Sequence, residues 1–213
     1  MPLISKAKLN RMVPGSTKSL PHALEWLGQI RTKSFLSAKR FDIFLSHAFE
    51  DARDILTLYD ALTMIGYEVF VDWIADPDTD RAEVTKETAE GLRDVMQRSD
   101  SLLFAVSSHS GESKWMPWEL GYSDGLHAKV AILPITEDET NLETYTADQQ
   151  YLRLYPYVTL NPNPQGLAQL WVSEAIDTFV SLNDWLKGKK PTRKSLFTVE
   201  MRRQGFISDP WEA

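Results

Sequence analysis

Ser101-Leu102-Leu103-Phe104-Ala105-Val106, followed after a polar gap by Lys114-Trp115-Met116-Pro117-Trp118-Glu119-Leu120-Gly121-Tyr122-Ser123-Asp124-Gly125, decides how this chain folds. The first stretch is a short unbroken apolar run, the pattern of a strand buried on both faces. The second reads as a helix begun at Pro117, because proline at a first helical position is pre-organised for the helix. Strand followed by helix is half of a βαβ unit. On this reading Glu119 lies in the first turn, where the helix dipole favours a charged carboxylate. With Trp115, Trp118 and Tyr122 beside it, such a carboxylate suits a flat cationic ring and a cationic transition state. That chemistry points toward nicotinamide nucleotides.

The same rhythm runs outward in both directions. Phe41–Ser46, Tyr67–Asp72, Val130–Ile135 and Tyr157–Leu160 read as four more strands. Between them lie apolar stripes at helical spacing. Ile55, Leu58, Tyr59, Leu62 and Ile65 form one, closed by Gly66 as a C-terminal cap. Val84, Thr88, Leu92, Val95 and Met96 form the next. Leu167, Leu170, Trp171, Ala175, Phe179, Leu182 and Leu186 predict a closing helix. Alternating strands and helices imply an α/β fold built on a parallel sheet. Residues 1–18 are basic and unpatterned and read as a flexible arm, and Leu20, Leu24, Leu27 and Ile30 predict a short amphipathic helix. The expected organisation is an extension over 1–39, one domain over 40–186 and a tail over 187–213.

Composition excludes several functions. The 213 residues carry a formal net charge of −7, unlike the basic footprint of a nucleic-acid binder. There is no cysteine, which removes disulfides and thiolate metal sites and fits a reducing cytoplasm. The four histidines form no metal-ligand pattern, so no metal site is expected. The first residues lack the apolar core of a signal peptide, and no run approaches the ~18 apolar residues of a membrane span. No GxGxxG, GxxxxGK[ST] or GxSxG occurs, which argues against a dehydrogenase, a P-loop NTPase and an α/β-hydrolase.

In an open parallel sheet, ligands bind beyond the C-terminal ends of the strands. Those ends are Ser46-His47-Ala48, Asp72-Trp73, Ser107-Ser108 and Pro134-Ile135. Glu119 belongs to the helix that leaves the third of them. Polar and aromatic groups distant in sequence therefore converge on one crevice.

These stretches together resemble a Toll/interleukin-1 receptor (TIR) domain of the bacterial kind. Phe41-Asp42-Ile43-Phe44-Leu45-Ser46-His47-Ala48-Phe49-Glu50-Asp51 resembles the family's first box, and Gly66–Asp72 its second strand. Trp115-Met116-Pro117-Trp118-Glu119 resembles the WxxxE pattern of NAD-cleaving members. The likeness covers roughly residues 40–186. It implies the flavodoxin-like TIR fold, a five-stranded parallel sheet with helices on both faces. It also implies cleavage of the nicotinamide–ribose bond of NAD+, with NAD+ as substrate rather than cofactor. One carboxylate suffices for that reaction. A glycosidase needs a second carboxyl to protonate its leaving oxygen, whereas nicotinamide leaves a pyridinium already neutral. The task left for Glu119 is to stabilise an oxocarbenium-like sugar and hold its hydroxyls. Trp115 is placed to stack on the pyridinium, a cation–π contact worth about 0.5–2 kcal/mol.

Each residue also has a plainer reading. Glu119, as a third helical residue, would close a capping box on the helix start. Of the two tryptophans, Trp118 is assigned to the core and Trp115 to the site. His47 either touches a phosphate or caps the next helix, and Ser46 either lines the site or forms a turn. Ala48 follows them at the same strand end. Asp72 and Trp73 open a loop that in TIR domains shapes the pocket and meets neighbouring subunits. Arg81 either pairs with a diphosphate or neutralises Asp78 and Asp80. Tyr122 and Asp124 stand further out.

The function implied is a TIR NAD+ hydrolase or cyclase, similar to stand-alone TIR proteins of antiphage defence such as Thoeris. There an ADP-ribose-derived product activates a separate effector protein. Self-association through the acidic loop of residues 73–83 is expected, with no nucleic-acid or membrane partner. The alternatives are a non-enzymatic TIR adaptor, which has no need of Glu119, and a secreted effector that depletes host NAD+.

Overall fold

The computed structural model describes residues 3–13, 25–26, 29, 39–48, 51–71, 86–107, 109–137, 144–162, 168–195 and 198–199. In chain order the elements are β1 Ile4–Ser5, α1 Lys6–Met12, β2 Ile43–Ser46, α2 Ala52–Met64, β3 Val69–Val71, α3 Lys86–Gln97, β4 Leu102–Val106 and α4 Trp115–His127. They continue as β5 Val130–Thr136, β6 Tyr157–Pro162, β7 Ala168–Ala175, β8 Thr178–Ser181, α5 Leu182–Leu186 and β9 Thr192–Arg193. Two compact units emerge, residues 9–130 and residues 1–8 with 131–213.

Within 9–130, β2 lies between β3 and β4, and both pairings are parallel. The register sets Ile43 opposite Val69 and Ser46 opposite Phe104. Every residue of β2 and β3 is buried, which is why these strands read as continuous apolar runs rather than alternating ones. Phe70 anchors the core, its ring 5.2 Å from Phe44 and 5.6 Å from Phe41. Helix α2 buries Ile55, Leu58 and Leu62, the stripe legible in the sequence. It ends at Gly66, where φ is +102°. The Gly66 amide donates to Thr63 O and the Tyr67 amide to Leu62 O, the paired bonds that close a helix on a left-handed glycine. Helix α3 buries Ala89, Leu92, Val95 and Met96 in the same manner.

The chain passes from β2 outward to β3, then crosses back through α3 to β4 on the opposite side of β2. The strand order reverses there. Such a switch point opens a crevice at the C-terminal ends of the two central strands, the place where open α/β sheets bind ligands. Ser46 closes β2 at that edge and Ser107 follows β4.

Helix α4 ends on Ala128, whose φ of 53° is left-handed. A Cβ in that region costs roughly 1–2 kcal/mol, and glycine is free of it. Ala128→Gly is therefore expected to stabilise the fold by about 1 kcal/mol, read as a raised urea midpoint at unchanged slope. The helix's last residue, His127, accepts the Lys129 amide on Nδ1 at 3.1 Å. Burial lowers its pKa below 6.5, Lys129 lowers it further, and Asp100 and Asp124 oppose both. The unfolded chain thus takes up this proton first as pH falls. Stability is expected to decline from pH 6.5 down to the depressed native value and then level off. Denaturation at pH 7.5 and 5.5 checks this. His127→Asn, whose carbonyl can accept the same amide, should show a smaller loss between the two.

In the other unit, β5 pairs in parallel with β1, Ile4 opposite Ile135, and with β6, Ile132 opposite Tyr157. All five strands expected from the sequence are present. The sheet does not stop at five, because β7, β8 and β9 continue antiparallel from β6. The closing helix expected over Leu167–Leu186 is replaced by the β7–β8 hairpin, and only Leu182–Leu186 is helical. Val172, Thr178 and Val180 explain the outcome. β-branched residues are stiff in a helix and pack well on a pleated face. Leu170, Trp171 and Val172 are all buried, so both periods fit and the apolar spacing alone misleads.

The start of the chain also departs from a flexible arm. Leu3, Ile4 and Leu9 are buried. Lys6 pairs with Glu137 at 2.7 Å, and Lys8 Nζ donates to Leu160 O at 2.7 Å. No helix among the described residues is long and apolar enough to cross a membrane.

Candidate active site

Ser46 and Glu119 stand 73 positions apart and meet in the crevice. The Ser46 hydroxyl donates to Glu119 Oε2 at 2.5 Å. Both are almost wholly buried, at 1% and 3% exposure. A carboxyl group removed from water to this degree must be hydrogen-bonded. Ser46 is placed by the end of β2, and Glu119 by α4, which packs against both β2 and β4.

The helix begins earlier than the sequence suggests. Its first residue is Trp115, Pro117 is its third and Glu119 its fifth. Ser113, extended at φ −74° and ψ 127°, accepts the Met116 amide at 3.3 Å and so caps the start. Pro117 still falls in the first turn, where a missing N–H costs little. Glu119 lies beyond that turn. It cannot form the capping box, and the helix dipole acts on it less than expected. Its partner is the strand-end serine instead.

Trp115 precedes Glu119 by four residues and therefore shares its helix face. It is 7% exposed, whereas Trp118, expected in the core, is half-buried. The Trp115 indole N–H is buried with no hydrogen-bond partner among the described residues. Its ring meets Trp118 edge-on at 5.4 Å. Trp118 stacks on Tyr122 at 5.8 Å, and the Arg93 guanidinium lies 5.4 Å from the Trp118 ring. Gln97 donates to the Tyr122 hydroxyl at 2.9 Å. Tyr122 thus belongs to a ladder between α3 and α4, beside the Ser46–Glu119 pair rather than on it.

His47 and Ala48 are buried directly after Ser46. His47 Nδ1 lies 3.2 Å from Leu45 O. Asp72, Trp73 and Arg81 lie outside the described residues, as does the loop 73–83.

A second constellation at the same edge was not assigned from sequence. Asp51, 4% exposed, accepts the Ser107 hydroxyl on Oδ2. His109 Nδ1 lies 2.9 Å from Asp51 Oδ1, and the His109 amide donates to Ser107 Oγ at 3.0 Å. The Ser110 hydroxyl donates to Ser107 O at 3.0 Å. These partners are 56 and 58 positions apart, so no local motif announces them. The usable signal was indirect: Asp51 closes the first-box stretch, and Ser107 and His109 open the loop after the neighbouring strand.

A family model for the TIR domain matches residues 43–171. "Probable 3' cyclic ADP-D-ribose synthase ThsB'" of Bacillus cereus (strain MSX-D12) is 46% identical over 158 residues, covering 73% of this chain and 80% of that protein. "Putative cyclic ADP-D-ribose synthase TIR2" of Cytobacillus dafuensis is 26% identical over 116 residues, 54% of this chain and 31% of that longer protein. The matched region contains strands β2 to β6, the switch-point crevice and both members of the Ser46–Glu119 pair. By its sequence and by its fold, the chain belongs to the TIR domain family.

Proposed function

We propose that this protein cleaves the nicotinamide–ribose bond of NAD+ and closes the remaining ADP-ribose into a ring that serves as a signal in antiphage defence. The observation that carries the reading is the buried Ser46–Glu119 pair at the switch-point crevice. A carboxyl group in that position serves no capping role. It is suited to a sugar cation that develops only in the transition state. The names of both relatives, cyclic ADP-D-ribose synthases, support the same chemistry.

Each residue then has a task. Glu119 stabilises the oxocarbenium-like ribose. Ser46 holds the carboxylate in place from the strand end. Trp115 packs against the substrate, its indole N–H offering a donor. His47, Ala48 and Tyr122 support the walls, and Asp72, Trp73 and Arg81 contribute from the loop. Nicotinamide departs with the electrons of the broken bond as a neutral molecule, so no acid has to protonate it.

The signal acts on a separate effector protein, and activity depends on assembly. The loop 73–83 is acidic and poor in apolar residues, and it docks on a neighbouring subunit to complete the pocket. A free protomer is then mostly incompetent, and its apparent affinity falls by the competent fraction. Nicotinamide release per protein is therefore expected to rise about tenfold or more between nanomolar and tens of micromolar protein, as the competent fraction grows. Constant specific activity from a protein that remains monomeric by light scattering would show a site complete in one chain.

A further inference from the structure

We propose that Asp51 and His109 form the general-base dyad that closes the ring, with His109 taking the proton from the attacking ribose hydroxyl. The inference rests on the NAD+-cleaving reading above and adds to it the step after nicotinamide leaves.

Asp51 carries the first argument. It is the residue before α2, the position where an aspartate normally accepts an amide of the first turn. Here its side chain makes no such bond. Its carboxylate is buried to 3% side-chain exposure and is committed to Ser107 and His109. A buried carboxylate diverted from the helix it precedes has another partner to serve.

His109 carries the second. Its side chain is 43% exposed while Asp51 beneath it is covered. Nδ1 is held by Asp51, and the backbone amide is held by Ser107. Ring and backbone are thus both clamped, and the proton exchange is assigned to Nε2. The Ser107 hydroxyl donates to Asp51 and not to the imidazole, so this is no serine nucleophile with its base. What the geometry supplies is an imidazole oriented by a carboxylate.

The position fits. Ser46 sits level with Phe104 in the register of β2 and β4. Ser107 is three residues further along, about 10 Å by strand rise. The dyad therefore stands beyond the Ser46–Glu119 pair, over the same strand ends and at the solvent side of the crevice. The proposal requires a dinucleotide with its nicotinamide ribose at Glu119 to extend its other half toward this dyad.

The chemistry demands such a group. The bond from the anomeric carbon to the nicotinamide nitrogen breaks, and its electron pair leaves with nicotinamide. The oxocarbenium carbon is then attacked by an oxygen. Water gives linear ADP-ribose, and a ribose hydroxyl of the adenosine half gives a ring. Either oxygen becomes positively charged as the new carbon–oxygen bond forms, and its proton must go to a base. Glu119 is occupied with the cation. His109 Nε2 receives the proton, Asp51 stabilises the imidazolium, and the exposed ring returns the proton to water. The balance is NAD+ to cyclic ADP-ribose, nicotinamide and one proton. Asp51 is the positioning residue of the pair.

The test uses the full chain with NAD+, in crowding agent and extract of phage-infected cells. Nicotinamide, cyclic ADP-ribose and linear ADP-ribose are quantified together by mass spectrometry. At equal NAD+ consumed, His109→Ala is expected to lower the ratio of cyclic to linear product about 100-fold, the lower end of a general-base contribution. Added imidazole should restore the ratio in His109→Ala and leave the wild-type ratio unchanged. Asp51→Asn should lower the ratio in the same direction by leaving the wrong ring nitrogen protonated. An unchanged ratio in a folded His109→Ala protein overturns the inference. So does a wild type that releases nicotinamide and makes linear ADP-ribose alone, and either result leaves NAD+ cleavage standing. A wild type that releases no nicotinamide overturns the proposed function and this inference with it.

Discussion

Glu119→Gln is expected to lose NAD+ cleavage by at least ~100-fold, the scale of a lost transition-state electrostatic contact, while the protein stays folded. The amide keeps the shape of the carboxyl group and can still accept from the Ser46 hydroxyl, so the buried bond survives. What it lacks is the negative charge that the sugar cation needs. The loss should appear in kcat and kcat/KM together, because the contact is made in the transition state and not with bound NAD+. Nicotinamide release measured beside circular dichroism separates this from unfolding. A folded Glu119→Gln protein with wild-type turnover would remove Glu119 from the chemistry.

Trp171→Ala has a comparable expected effect on stability. Trp171 is 2% exposed in the middle of β7. Its ring meets Phe179 of β8 edge-on at 5.4 Å, and Val199 completes the same buried cluster. Truncation of a buried tryptophan costs about 3–5 kcal/mol, a large part of the stability of a domain this size. Urea denaturation should show the midpoint falling accordingly. A loss under ~1 kcal/mol would mean that the hairpin is not packed as described.

The same tryptophan shows where sequence reading fails. Leu170, Trp171, Ala175, Phe179 and Leu182 satisfy a helical period, and all but the half-buried Ala175 are buried as a helical stripe would be. The strand-forming signal lay in residues the stripe ignored, Val172, Thr178 and Val180. By contrast, the runs at 101–106 and 130–135 are too short for helices and carry no competing period, so they read correctly. Ile4 and Ser5 add an edge to β5 from a segment with too few apolar residues to declare itself.

The site divides in the same way. Glu119 was legible because it sits in a dense local motif, although Pro117 misplaced the start of its helix by two residues. Its bond to Ser46 was not legible, since only strand pairing brings positions 46 and 119 together. Asp51 and His109 were hidden for that reason too. Local sequence tells where a helix or strand forms, while the crevice is made by two strands that are neighbours only in the folded sheet.

The most direct test is to follow NAD+ and its products by mass spectrometry in phage-infected bacteria that carry this chain or its Glu119→Gln form. The account predicts that NAD+ falls in cells with the wild-type chain, while nicotinamide and a product of ADP-ribose mass less one water rise. It predicts neither change with Glu119→Gln. Equal NAD+ and no such product in both would contradict it.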